Sequence, residues 1–164
     1  MHLFINASRI ISSANFIISG LFFHEIFLAI AIPATIVDLR SFRIPDCIVY
    51  PGIIILVAFL AIAMPGQLVD SLIAAALATC FLWLIRIFTK GLGLGDVKFG
   101  ACLGLYCGTH AIFPAFMIAA LSGTLVAVIL VNRKKMTRTA RIPFAPFLAL
   151  GAISGRIIVD LYCR

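Results

Sequence analysis

Long apolar runs separated by short polar turns account for nearly the whole chain. Six such runs lie at about residues 16–37, 47–64, 68–88, 96–107, 111–131 and 143–162. A membrane-spanning helix needs about 20 apolar residues, which most of these runs supply. No run alternates apolar and polar residues as a strand does, and helices satisfy their own backbone hydrogen bonds in lipid. The pattern therefore predicts an all-α integral membrane protein, a bundle of about six transmembrane helices.

The beginning of the chain is less apolar than the rest. Residues 1–15 are weakly polar and are assigned to an N-terminal segment, and residues 16–164 to a single transmembrane domain. A secretory signal peptide is the alternative, because Ala29-Ile30-Ala31 resembles a cleavage site. The apolar run continues through that site to Val37, and His24-Glu25 interrupts it. We therefore expect an uncleaved first span.

The composition supports the membrane assignment. Of the 164 residues, 63% are hydrophobic and 12% are charged, whereas ordinary globular proteins are about 45–50% apolar. The formal charge of +7 is also compatible with nucleic-acid binding. The basic residues, however, are sorted to one side of the predicted bundle, which favours membrane lipids as the partner and argues against nucleic acid.

Three predicted turns, at 38–46, 86–98 and 132–141, fall on one side when six spans alternate across the bilayer. They hold ten of the thirteen Lys and Arg residues: Arg40, Arg43, Arg86, Lys90, Lys98, Arg133, Lys134, Lys135, Arg138 and Arg141. The positive-inside rule makes this the cytoplasmic side of a multi-pass protein of the inner membrane. The basic segment 132–141 is expected to orient the chain against anionic lipids.

The candidate chemistry lies in two acids on that predicted face. Asp38 ends the first span, and Asp96 begins the fourth, directly after a glycine-rich loop. Two carboxylates that converge on one water can share a single proton, and then act as general base and general acid in peptide hydrolysis. The alternative is structural, because interfacial aspartates often cap helices, a role also expected of Asp46. Five scattered cysteines without a CxxC pair predict no metal site, and no cofactor is expected.

Three motifs resemble those of a known family. Gly93-Leu94-Gly95-Asp96 matches the GxGD signature of membrane aspartyl proteases, and with Lys98 it resembles type IV prepilin peptidases. Asp38 followed by Arg43-Ile44-Pro45-Asp46 is similar to the first catalytic Asp of that family and its Ile-Pro segment. The stretch 142–151, Ile-Pro-Phe-Ala-Pro-Phe-Leu-Ala-Leu-Gly, resembles the Pro-Phe motif of the last span, with Ala145 in place of the usual glycine.

The resemblance implies a role for each matching residue. Asp38 and Asp96 would be the catalytic pair, and Gly93 and Gly95 would let the loop present Asp96 and admit substrate backbone. Lys98 would set the local potential or meet lipid phosphate, and Pro45 would shape its turn. The implied substrate is a prepilin or pseudopilin whose short basic leader is cut after glycine. Because no CxxC pair occurs, the chain resembles the short peptidase-only branch, such as the Tad/Flp pilus enzymes, without the N-methyltransferase.

Other functions stay open from the sequence alone. One is a GxGD protease that cleaves deeper within helices, which the Ile-Pro and Pro-Phe motifs disfavour. Another is a non-catalytic membrane scaffold of a pilus or secretion apparatus, and a third is a small transporter. The sequence leaves the oligomeric state and the separation of Asp38 and Asp96 undetermined, and it assigns no role to His24, Glu25, Asp70 or Arg156.

Overall fold

The computed structural model describes residues 2–89, 92–132 and 143–162, and this part of the chain is built from α-helices. They are α1 (His2–Ser41), α2 (Asp46–Ala63), α3 (Pro65–Thr89), α4 (Leu94–Asn132) and α5 (Ala145–Tyr162). Each contains a stretch long and apolar enough to cross a membrane. The all-α, membrane-spanning class is thus confirmed. Lys90, Ile142 and most of the basic segment, residues 133–141, lie outside the described residues.

Two of the predicted spans lie in α4. Gly108 interrupts this helix with φ 69° and ψ 175°, a backbone conformation that residues other than glycine rarely adopt. A Cβ at this position would also come within 2.7 Å of a carboxylate oxygen of Asp70. The interruption divides α4 into residues 94–107 and 109–132, which correspond to the fourth and fifth predicted spans.

The first half of α4 runs antiparallel to α3. Gly100 lies against Leu82, and four residues later Gly104 lies against the backbone of Ala75. The second half runs in the opposite direction, because Thr109 contacts Asp70 whereas Phe116 packs near Phe81, with ring centroids 5.1 Å apart. The chain therefore reverses at Gly108, as the sequence predicts for residues 108–110.

Charged side chains satisfy the backbone groups exposed by this reversal. Asp70 accepts the backbone N–H of Thr109 at 3.0 Å and also its hydroxyl. Arg156 of α5 donates to the carbonyl oxygen of Tyr106 at 2.9 Å. An anion at the start of one helix and a cation at the end of another both complement the helix dipoles. Asp70 and Arg156, to which the sequence alone assigns no role, therefore stabilise the reversal.

Two turns are shorter in the structure than in the sequence prediction. The helix α1 continues to Ser41, so Asp38 lies in its last turn and not in the polar turn that was expected to begin there. Between α2 and α3 a single residue, Met64, is non-helical. Pro65 is the first residue of α3, a position where its missing N–H costs no helical hydrogen bond.

Candidate active site

A cavity of about 460 Å³ opens at one end of the bundle. Its walls come from three separate parts of the chain: the end of α1 with the turn before α2, the loop before α4 with the first turn of that helix, and the residues preceding α5. Arg86, near the end of α3, also lines it. The structure thus brings the described parts of the predicted turns 38–46 and 86–98 to the same end of the molecule.

Asp38 forms part of the cavity wall from the last turn of α1. It is 3% exposed, and its Oδ2 accepts the backbone N–H of Ala145 at 3.0 Å. Ala145 is the first residue of α5, so this carboxylate lies at the N-terminus of a second helix, where negative charge is favoured. The last motif of the sequence therefore contacts Asp38 through its backbone.

Asp96 reaches the same cavity from the first turn of α4. It is 8% exposed, and its Oδ2 accepts the backbone N–H of Gly93 at 3.2 Å. Its Oδ1 is buried and has no hydrogen-bond partner among the described residues. Asp38 and Asp96 thus line one cavity from two helices. A buried carboxylate oxygen without a protein partner is a natural acceptor for water or for a substrate group.

Both acids also contribute to helix ends, as the structural alternative expects. Asp38 accepts the N–H of Ala145 and Asp96 that of Gly93. The helix begins at Leu94, two residues before the predicted start, so Asp96 is its third residue and reaches back to the residue that precedes the helix. Capping uses one oxygen of Asp96 and leaves the other buried without a partner among the described residues.

The glycines of the loop have a packing role. A Cβ at Gly95 would lie 3.0 Å from the backbone nitrogen and oxygen of Ile44, in the turn between α1 and α2. Without a side chain, this loop approaches the segment that follows Asp38 closely. A Cβ at Gly93 would lie 3.1 Å from Oδ2 of Asp96. Gly95 therefore allows the segments carrying the two acids to pack together, and Gly93 leaves room for the Asp96 carboxylate.

The prediction that Asp46 caps α2 is wrong. Pro45 occupies the N-cap position with φ −72° and ψ 141°, and no side chain bonds to the helix end. The carboxylate of Asp46 instead receives Nζ of Lys98, 2.8 Å from each oxygen. The ammonium also lies 5.1 Å from the ring centroid of Tyr50. A nearby lysine competes with the backbone N–H groups of the helix for the carboxylate. The spacing of residues along the chain does not show that such a lysine is near.

Arg86 is a further residue whose local role was not predicted. Its Nη1 donates to the backbone oxygen of Leu92 at 2.7 Å and so holds the loop before Gly93. The sequence signal was a basic residue at the end of an apolar run, which was interpreted as an orientation signal alone. The contact between Asp38 and Ala145 was likewise not predicted, because it uses the backbone N–H of Ala145 and not its side chain.

Comparison with protein families matches the part of the chain that contains both acids. The model of the type IV leader peptidase family matches residues 25–128, a segment that includes Asp38, Asp96 and the glycine loop. The chain belongs to this family. The family resemblance is thereby confirmed. The matched segment includes the motifs around Asp38 and Asp96 and ends before the third motif, at 142–151.

Individual members of the type IV leader peptidase family agree with this assignment. Proteins named prepilin leader peptidase/N-methyltransferase from Xanthomonas campestris and Bacillus subtilis are 32% and 30% identical, over 78% and 85% of this chain. The matches cover 48% and 58% of those relatives. A protein of the same name from Escherichia coli is 26% identical over 84% of the chain and 62% of that relative. The chain thus spans about half the length of the curated relatives it matches. No solved structure was found to match it.

Proposed function

We propose that this chain is an aspartyl endopeptidase of the inner membrane that removes the leader from prepilin or pseudopilin precursors at the cytoplasmic face. The observation that carries the proposal is the cavity in which Asp38 and Asp96, from two different helices, are both buried. Membership of a leader peptidase family supports peptide hydrolysis as the reaction of such a pair. The proposal requires no cofactor and no metal ion.

The two carboxylates suffice for hydrolysis if they share one proton. The ionised acid removes a proton from a water molecule as the water oxygen attacks the peptide carbonyl. The protonated acid donates to the carbonyl oxygen as it becomes an oxyanion. When the tetrahedral intermediate collapses, the C–N bond breaks and the amine takes a proton from the pair. The unpartnered Oδ1 of Asp96 is the position from which such a water would be held.

The position of the cavity suits a substrate that is itself a membrane helix. The cavity lies at one end of the bundle and not at mid-membrane, so a leader emerging from the bilayer surface could reach it while its apolar helix remains in lipid. The end with the cavity carries Arg43, Arg86 and Lys98 among its lining residues. Basic residues at this end favour the cytoplasmic orientation. The proposed partners are therefore a prepilin-like helix and the surrounding lipids, without nucleic acid.

The direct test is cleavage of a prepilin in reconstituted liposomes. Purified protein is mixed with a prepilin carrying its leader, and the product is identified by mass spectrometry. We expect one cut, after the glycine that precedes the apolar helix. A matched substrate with that glycine replaced by a larger residue controls for contaminating proteases and is expected to stay intact. Absence of cleavage, with the substrate correctly inserted, would favour the scaffold alternative.

The proposed orientation makes a separate prediction for Cys47, which is exposed at the start of α2 beside the cavity end. A membrane-impermeant maleimide is expected to label this thiol in inverted inner-membrane vesicles and to leave it unlabelled in intact spheroplasts. The variant Cys47→Ser identifies the labelled site in the vesicles. Labelling of Cys47 from the outside of spheroplasts would reverse the proposed orientation.

A further inference from the structure

An ion pair joins the two segments that carry the proposed catalytic acids. Asp46 begins α2, eight residues after Asp38, and Lys98 follows Asp96 by two residues on α4. The Lys98 ammonium lies 2.8 Å from both carboxylate oxygens of Asp46. Resting on the proposed function, we propose that this pair is a positioning device, which holds Asp96 at its working distance from Asp38.

The backbone contacts around the pair explain how it could act at the acids. Asp46 follows Ile44 by two residues at the end of the α1–α2 turn. Its bond to Lys98 therefore ties the turn, and with it Ile44, to α4. Ile44 in turn packs on Gly95, the residue before Asp96. The turn and the glycine loop therefore meet at a backbone contact next to Asp96. The ion pair provides a second link between the same two segments, and both of its residues line the cavity.

The attraction between Asp46 and Lys98 opposes a repulsion between the two proposed catalytic acids. Asp38 and Asp96 are two buried acids of one cavity, and whenever both are ionised their repulsion opposes the approach of α1 and α4 at this end. Away from the cavity, α1 and α4 are joined at Tyr106, whose ring stacks on that of Phe27 with centroids 3.9 Å apart, so the repulsion can act only at the cavity end. An attraction between Asp46 and Lys98 draws the same two segments together. It does so without placing a cation against either catalytic carboxylate.

The exposure of the pair argues against a role in global stability. The side chains of Lys98 and Asp46 are 32% and 58% exposed, and ion pairs this accessible add about 0–1 kcal/mol to folding. Geometry at a reacting centre is more sensitive, because a displacement of about 1 Å can lower a rate by roughly 100-fold. The structure therefore assigns the pair an effect on turnover and little effect on folding.

The test compares Lys98→Met, Asp46→Asn and the variant that combines them, using prepilin cleavage in liposomes. Each single change is expected to lower kcat by about tenfold, with KM and the unfolding temperature within error of the wild type. If the residues act as a pair, the combined variant is no slower than either single variant. Exchange of the two residues, Asp46→Lys with Lys98→Asp, is expected to recover a substantial part of kcat.

The matched control is Asp160→Asn, which removes the ion pair with Arg156, 3.5 Å long, near the other end of α5 and should leave kcat unchanged. Wild-type kcat in Lys98→Met would overturn the positioning role. A rise in KM without recovery in the exchanged variant would show that Lys98 contacts substrate directly, and would equally overturn it. Failure of the wild type to cleave, or cleavage by Asp38→Asn, would contradict the proposed function and not this inference alone.

Discussion

Replacement of Asp38 or Asp96 by Asn is expected to lower the rate of prepilin cleavage by at least about 1,000-fold. Each substitution leaves a near-isosteric amide that can neither remove a proton from water nor pass one to the oxyanion. The amide oxygen can still accept the backbone N–H of Ala145 or of Gly93, the bonds that each acid makes at a helix end. Folding is therefore preserved while the chemistry is lost. The rate is measured by single-turnover cleavage in liposomes.

The control for this experiment is another carboxylate-to-amide change, Asp160→Asn, at an exposed position near the opposite end of α5. It should cleave at the wild-type rate. All variants are compared at equal amounts of monodisperse protein, so that a fall in rate reports chemistry and not yield. Undiminished cleavage by either Asp38→Asn or Asp96→Asn would remove the proposed pair and leave helix capping as the role of that residue.

Gly104→Ala is expected to produce a large loss of stability. A Cβ at this position would lie 2.3 Å from Cα and 2.4 Å from the backbone nitrogen of Ala75. No rotamer change can relieve a clash with backbone, so α3 and α4 would have to separate along their contact. Helices in lipid associate through such close approaches of small residues. We expect a cost on the order of 3 kcal/mol and a fall of roughly 6–12 °C in the unfolding temperature in detergent.

The matched control is Gly20→Ala in α1, where nothing lies within 4 Å of an added Cβ. Alanine is the better helix former by about 1 kcal/mol, so this variant should be as stable as the wild type or slightly more so. If Gly104→Ala unfolded at the same temperature as Gly20→Ala, the close packing of α3 on the first half of α4 would be incorrect.

Much of the architecture follows from the sequence because lipid imposes it. Apolar length defines the spans, and the turn at residues 108–110 was predicted from Gly108 and the polar residues after it. The helix boundaries were less predictable. Asp38 belongs to α1 and not to the following turn, because the helix continues until Phe42, which has a positive φ of 52°. Local polarity does not distinguish the last turn of a helix from the loop beyond it.

The candidate site was predictable in its acids and not in their surroundings. The motifs identified Asp38 and Asp96, but the capping role predicted for Asp46 was wrong. Its partner Lys98 lies 52 positions along the chain, and only the fold determines that they meet. The same applies to the backbone of Ala145, which contacts Asp38 across more than a hundred residues. Long-range pairings of this kind leave no periodic signal in the sequence.

The reversal at Gly108 has a consequence for the depth at which charged groups lie in the bundle. The first half of α4, residues 94–107, has a length of roughly 21 Å at 1.5 Å per residue, whereas the hydrocarbon layer is about 30 Å thick. The polar reversal, with Arg156 and Asp70, therefore ends well short of the opposite surface. The other helices cover this half-helix, because its residues from Phe99 to Cys107 are buried except for the half-buried Ala101. The short crossing is therefore surrounded by protein and not by lipid, and the neighbouring helices shield the polar reversal from the hydrocarbon layer.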